Sequence, residues 1–115
     1  MPVATLKKRA QFLRLRSAPS VATSSFRLVQ GTRSIDDKDN LGPRIGFTVT
    51  KKLGNAVQRN RIKRRLKSAI EHVFPLQADV NADYVVIARR AAYDRPFPAL
   101  INDVERALEK LQHKP

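Results

Sequence analysis

Eight basic side chains lie between Lys51 and Lys67, with no acidic residue among them. They are Lys51, Lys52, Arg59, Arg61, Lys63, Arg64, Arg65 and Lys67, and Asn60 stands in their midst. Like charges three and four apart on a helix repel. A helix that keeps them without interleaved Glu calls for a polyanion, because solvated faces ordinarily mix signs. Phosphate oxygens are the chemistry this set suits: Arg offers a planar fork of donors and Lys a point charge. Phe12 is a second candidate, standing among Lys7, Lys8, Arg9, Arg14 and Arg16. It reads either as a core aromatic or as a partly exposed ring beside cations, on which an unpaired base can stack.

A catalytic constellation is harder to find. The two histidines, His72 and His113, are far apart and not at metal-ligand spacing. The four glycines are scattered, so there is no phosphate-cradling loop. There is no cysteine, which removes disulfides, thiolate metal sites and a cysteine nucleophile. The acids of the basic half, Asp36, Asp37 and Asp39, share one loop, a poor frame for a rigid two-metal site. The expectation is a chain with no catalytic residues and no metal or cofactor of its own.

The elements that must position the cations follow from periodicity. Gly54 can leave a strand, Asn55 is a good N-cap, and Gln58 stands at N3, where it can reach back to the cap. Ile62, Leu66, Ala69, Ile70 and Val73 then mark one face of a helix. At about 100° per residue, Asn60, Arg64 and Lys67 lie opposite that stripe, Arg61 and Arg65 flank it on one side, and Lys63 on the other. Pro75 is expected at the helix end or just past it.

Upstream, Leu6–Arg16 reads as a short helix, with Thr5 as a possible N-cap, and Val21–Gly31 as one strand. Residues 32–43 form a polar loop. Arg44–Thr50 alternates cleanly: Ile45, Phe47 and Val49 on one face, Arg44, Gly46, Thr48 and Thr50 on the other. That second face suits a binding surface on the open side of a sheet. Downstream, Asp83–Arg90 reads as a strand central in the sheet, and Phe97, Leu100, Ile101, Val104, Leu108 and Leu111 as the apolar stripe of a last helix with Asp103 on its outer side. The pattern predicts an α+β fold. It is a two-layer sandwich whose mostly antiparallel sheet of about four strands carries three helices on one face. The strand at 44–50, the basic helix and the strand at 83–90 form a β-α-β unit.

At 115 residues there is room for one domain, 1–115, with the loop at 32–42 and the tail at 112–115 expected to be flexible. Net charge is +13 and it is segregated: residues 1–67 hold 17 Lys and Arg against 3 acids, residues 68–115 hold 6 against 7. A basic half joined to a neutral half has a face for a phosphate backbone. No apolar run is long enough to cross a bilayer and no signal-peptide core is present, so a cytoplasmic protein without a membrane partner is expected.

The run Phe47-Thr-Val-Thr-Lys-Lys-Leu-Gly-Asn-Ala-Val-Gln-Arg-Asn-Arg-Ile-Lys-Arg-Arg-Leu66 closely resembles the signature of the bacterial ribonuclease P protein subunit. Lys7–Phe12 is similar to that family's N-terminal helix, and Asp83–Arg89 to its strand after the central helix. The resemblance implies a cytosolic partner of a catalytic RNA, together removing the 5′ leader of precursor tRNA, with cleavage by RNA-bound Mg²⁺. It also implies a left-handed β-α-β crossover, where pattern alone leads to the right-handed default. By position, Lys51, Lys52, Arg59, Asn60, Arg61, Lys63, Arg64 and Arg65 match the surface that meets the catalytic RNA. Phe12 matches an aromatic of the leader cleft, with Arg27, Thr48, Asn60, Lys63 and Lys67 as neighbours. Arg16 stands where the family often has a second aromatic; a guanidinium can also stack on a base. A structural RNA-binding protein of the ribosomal type remains the alternative. A duplex-DNA reader is disfavoured, because the helix is basic nearly all round with few Asn or Gln readers besides Asn60 and Gln58.

Overall fold

Alternation in Arg44–Thr48 and the unbroken apolar run in Ala82–Ala88 set the sheet. These are β4 and β5, paired in parallel from Arg44↔Asp83 to Thr48↔Ile87. The computed structural model describes residues 4–5, 12, 15, 17–32, 43–79 and 82–112. In it β1 (Ala4–Thr5), β2 (Ser20–Ala22) and β3 (Phe26–Thr32) complete a five-stranded sheet of order β1-β4-β5-β3-β2. The antiparallel ladders β2/β3 and β3/β5 carry more of the register than the parallel ones, and β5 is central as its apolar run requires. Two α-helices are described, Ala56–Gln77 (the basic helix) and Phe97–Gln112 (the C-terminal helix), with 3-10 turns at Lys51–Leu53 and Arg90–Tyr93.

Both helices cover one face. Ile62, Leu66, Ala69, Ile70, Val73 and Phe74 join Leu100, Val104, Ala107 and Leu108 over Phe26, Leu28, Ile45, Tyr84 and Val86. Truncating one of the large aliphatic residues here would cost about 2–5 kcal/mol. On the opposite face Leu15, Val29 and Val85 form a smaller cluster with half-buried Phe12 and Ala18 against it. That face is therefore not bare along its whole length. The helix expected over 6–16 lies mostly outside the described residues. Phe12 is helical, and the Leu15 N–H donates to its carbonyl at 3.1 Å. The loop at 33–42 and the tail at 113–115 also lie outside them.

Four expectations need correction. Val21–Gly31 is two strands, because the hydroxyls of Thr23-Ser-Ser compete for the backbone. Thr23 Oγ1 accepts the Phe26 N–H at 3.1 Å, and the Ser25 side chain turns inward to Asp103 at 2.7 Å. Pro75 lies inside the basic helix, which runs on to Gln77. A proline in the last turn removes a single ladder bond, and Phe74, edge-on to Tyr84 at 4.8 Å, holds that turn down. Asp103 is buried, not on the outer side, where it binds Arg95 and Ser25. Arg44 does not face solvent either: it is 2% exposed and its Nε and Nη2 grip the Asp83 carboxylate at 2.8 and 2.7 Å. Two cross-strand neighbours of opposite charge with fork geometry close that end of the sheet.

Candidate nucleic-acid interface

The basic helix begins as its sequence demands. Asn55 Oδ1 accepts the Gln58 N–H and Gln58 Oε1 accepts the Asn55 N–H, both at 2.8 Å, a reciprocal capping box. Gly54 before it has φ 134°, and a Cβ there would lie 2.2 Å from Gln58 Oε1, so both backbone and space require glycine.

The structure divides the helix's cations between two flanks. On one, Arg61 Nε donates to the Tyr93 carbonyl at 3.1 Å and its guanidinium lies 4.9 Å from the centre of the Tyr93 ring. Arg65 Nε donates to the Ala92 carbonyl at 3.0 Å, and its Nη2 to that of Arg95. His72 on the same flank meets Phe97 edge-on. This side faces the Arg90–Tyr93 turn and the C-terminal helix, which lies over β2 and β3. The other flank is left over the β4 edge. Lys63, Arg64 and Lys67 are exposed there with Asn60, and none makes a hydrogen bond or ion pair among the described residues. Lys51 and Lys52 are exposed in the first 3-10 turn, and Arg90 Nη2 donates to the Lys52 carbonyl at 3.0 Å. Arg59 is half-buried, and its Nε finds no hydrogen-bond partner among the described residues.

The cross-strand register builds the second part of the surface. Arg27, Ile87 and Thr48 are register partners on β3, β5 and β4 and form one row on the open face. The Arg27 Nη1 donates to Ser20 Oγ at 2.8 Å, which holds the guanidinium over the sheet. The next row is Val29, Val85 and Gly46, with Phe12 upon it; the row beyond is Gly31, Asp83 and Arg44, shut by the ion pair. Arg27, Thr48 and Phe12 are thus brought onto one face. Arg16 lies outside the described residues. Asn60, Lys63 and Lys67 belong to the helix on the covered face, the opposite side of the sheet from Arg27, Thr48 and Phe12. Sequence reasoning missed Ile87, 37% exposed in an otherwise buried strand. Its place in the alternation with Val85 was the available signal. It also missed Tyr93, which nothing in the local pattern marks.

Buried carboxylates are committed elsewhere, Asp83 to Arg44 and Asp103 to Arg95 and Ser25. Hydrogen bonding to Asp103 holds the Arg95 guanidinium above its ordinary range. Among the described residues no three His, Asp or Glu converge as metal ligands, and no helix is long and apolar enough to cross a membrane.

A capped rod of cations beside an open sheet face carrying an aromatic, an aliphatic and a guanidinium defines a small RNA-binding protein. The family model "Ribonuclease P" matches residues 2–112. A ribonuclease P protein component of Paramagnetospirillum magneticum is 41% identical over 107 residues, 92% of this chain and 80% of that one. One from Ruegeria pomeroyi is 43% identical over 114 residues, 98% and 89% of the two chains. The solved Staphylococcus aureus RNase P protein superposes with a TM-score of 0.75 at 32% identity, covering 96% of both chains. The Thermotoga maritima RNase P protein, at 20% identity, shares the fold with a TM-score of 0.71 over 89% of this chain and 91% of that one. The chain belongs to the ribonuclease P protein family, the protein subunits of a ribonucleoprotein endoribonuclease.

Proposed function

We propose that the chain binds the catalytic RNA of ribonuclease P through the cations of its basic helix and first 3-10 turn, and holds the 5′ leader of precursor tRNA against the open sheet face. The two partners are engaged at once. Lys51, Lys52, Arg59, Asn60, Arg61, Lys63, Arg64 and Arg65 serve the RNA subunit; Phe12, Arg16, Arg27, Thr48, Asn60, Lys63 and Lys67 serve the leader. Mg²⁺ is carried by the RNA, a reading supported by the prior commitment of the buried carboxylates. The work takes place in the cytoplasm, with neither a membrane nor duplex DNA as partner.

The observation that carries the reading is the bare flank: three exposed cations with no counter-ion among the described residues, on a helix capped by Asn55 and Gln58. Burying charge-neutralising contacts to about 6–10 phosphates makes affinity fall by orders of magnitude between roughly 50 and 200 mM salt. Reconstitution with a catalytic RNA at low Mg²⁺, scoring removal of the leader, tests the function. Cleavage rising with added protein is expected; protein that never changes cleavage or RNA affinity sinks it. A structural RNA-binding protein of the ribosomal type would bind leaderless and leader-bearing tRNA complexes equally well.

A further inference from the structure

The Arg90–Tyr93 turn and the head of the basic helix enclose a cleft of about 270 Å³, lined by Leu53, Gly54, Gln58, Arg90, Tyr93 and Asp94. It lies on the flank of the helix where Arg61 and Arg65 are tied down, away from the open sheet face. Its size falls just below the range of ligand pockets, which starts at about 300 Å³, and suits one small planar group. We infer that it takes a single unstacked guanine base of the catalytic RNA. This rests on the reading of the basic helix as the surface for that RNA.

The walls are rigid and chemically distinct. Tyr93 is 37% exposed, and Arg61 fixes it from above and through its carbonyl. An aromatic held this way is a stacking platform, and base–aromatic stacking is how proteins hold splayed RNA bases. Arg90 is pinned by the Lys52 carbonyl through one nitrogen, leaving the rest of its fork for an anion. Gln58 spends its Oε1 on the Asn55 N–H, so its amide nitrogen is left as a donor. Asp94 makes no side-chain hydrogen bond or ion pair among the described residues, and Arg90 shares the cleft with it.

A donor and a carboxylate acceptor beside a ring select among bases. A carboxylate accepts from two adjacent N–H groups, and guanine presents such a pair, N1–H and N2–H, next to its O6 acceptor. Adenine and cytosine offer Asp94 one amino group each. Uracil offers a single ring N–H between two carbonyl oxygens that the carboxylate repels. The flanking Lys51, Lys52 and Arg90 suit the phosphates on either side of the inserted nucleotide.

Two measurements test this. NMR titration of the chain with GMP, AMP and ribose 5-phosphate follows the Tyr93 ring protons; Tyr84, the second tyrosine, is fully buried and serves as internal control. GMP is expected to move Tyr93 upfield in the millimolar range, AMP more weakly, and ribose 5-phosphate not at all. Equal response to ribose 5-phosphate makes the cleft a phosphate site only and overturns the inference; so does AMP matching GMP. Affinity for the catalytic RNA at fixed salt is then compared among wild type, Tyr93→Ala, Tyr93→Phe and Asp94→Asn. Tyr93→Ala should weaken binding roughly ten-fold or more while Tyr93→Phe stays near wild type, and Asp94→Asn should abolish the GMP-over-AMP preference. If Tyr93→Ala fails to fold, Asp94→Asn decides. Wild type binding the RNA with the variants indistinguishable from it overturns this cleft alone. Wild type that does not bind the RNA overturns the reading beneath it.

Discussion

Splitting the basic helix by flank separates cations whose loss costs affinity alone from Arg61 and Arg65, whose loss costs stability as well. Replacing Lys63, Arg64 and Lys67 with Ala removes three exposed cations that have no partner among the described residues. Surface changes of this kind move stability by no more than about 0.5 kcal/mol each. If each cation neutralises one phosphate, the salt slope of binding should fall by roughly 2–3, and affinity near 0.15 M salt by roughly a hundredfold. Replacing Arg61 and Arg65 instead breaks three charge-donated hydrogen bonds to the carbonyls of Tyr93, Ala92 and Arg95. Partial exposure discounts each to about 0.5–1.5 kcal/mol, so a total near about 2–4 kcal/mol is expected. In a domain of this size that lowers the thermal midpoint by roughly 10 °C. The assay pairs thermal melts of both variants with filter-binding isotherms at four salt concentrations. Reversed signatures, with the Lys63 set melting early and the Arg61 set losing only affinity, would refute the division of labour.

Asp103→Asn should lower stability by about 2–4 kcal/mol in urea unfolding, because it weakens the Arg95 pair and the Ser25 bond inside a buried network. Burial pushes the Tyr84 hydroxyl up from 10.0 to about 12. The native state thus holds that proton more tightly. Its contribution is whole below pH 10.0 and drains away as pH climbs to about 12. Tyr84→Phe should flatten the alkaline limb of a stability–pH curve over that window, at the cost of the bond from the Asp79 N–H. Gly54→Ala should destabilise by about 1–3 kcal/mol through its φ of 134° and the clash with Gln58, and a melt unchanged by it would contradict the capping geometry. Phe12→Ala should reduce the preference for leader-bearing over leaderless tRNA in competition binding by about five-fold or more. A melt that drops while the preference stays would assign the ring to the Leu15–Val29–Val85 cluster instead.

Much of this was legible in the chain because it is local. Asn55 and Gln58 announce the helix start, and the spacing from Ile62 to Val73 fixes which side is buried. The alternation around Ile45 and the run before Ala88 give β4 and β5. What stayed hidden is pairwise and distant. Nothing near Arg44 says that a carboxylate 39 residues away will neutralise it. Nothing near Arg65 names the Ala92 and Arg95 carbonyls as its partners. Asp103 reads as surface until Ser25 and Arg95 are seen to converge on it. Charge counting in the basic run could not separate cations that bond to the protein's own carbonyls from those with no partner among the described residues.

The Arg44–Asp83 grip fastens the start of β4 to that of β5 across the whole length of the intervening helix. A slip of one residue in that parallel pairing would turn Arg44 toward the helix-covered layer and leave a naked guanidinium in oil. Wrong threadings of the two strands are thereby priced out as the chain collapses, and the row of Arg27, Ile87 and Thr48 comes into line as a by-product. A buried electrostatic clasp thus sets the spacing of the open-face row four residues along each strand.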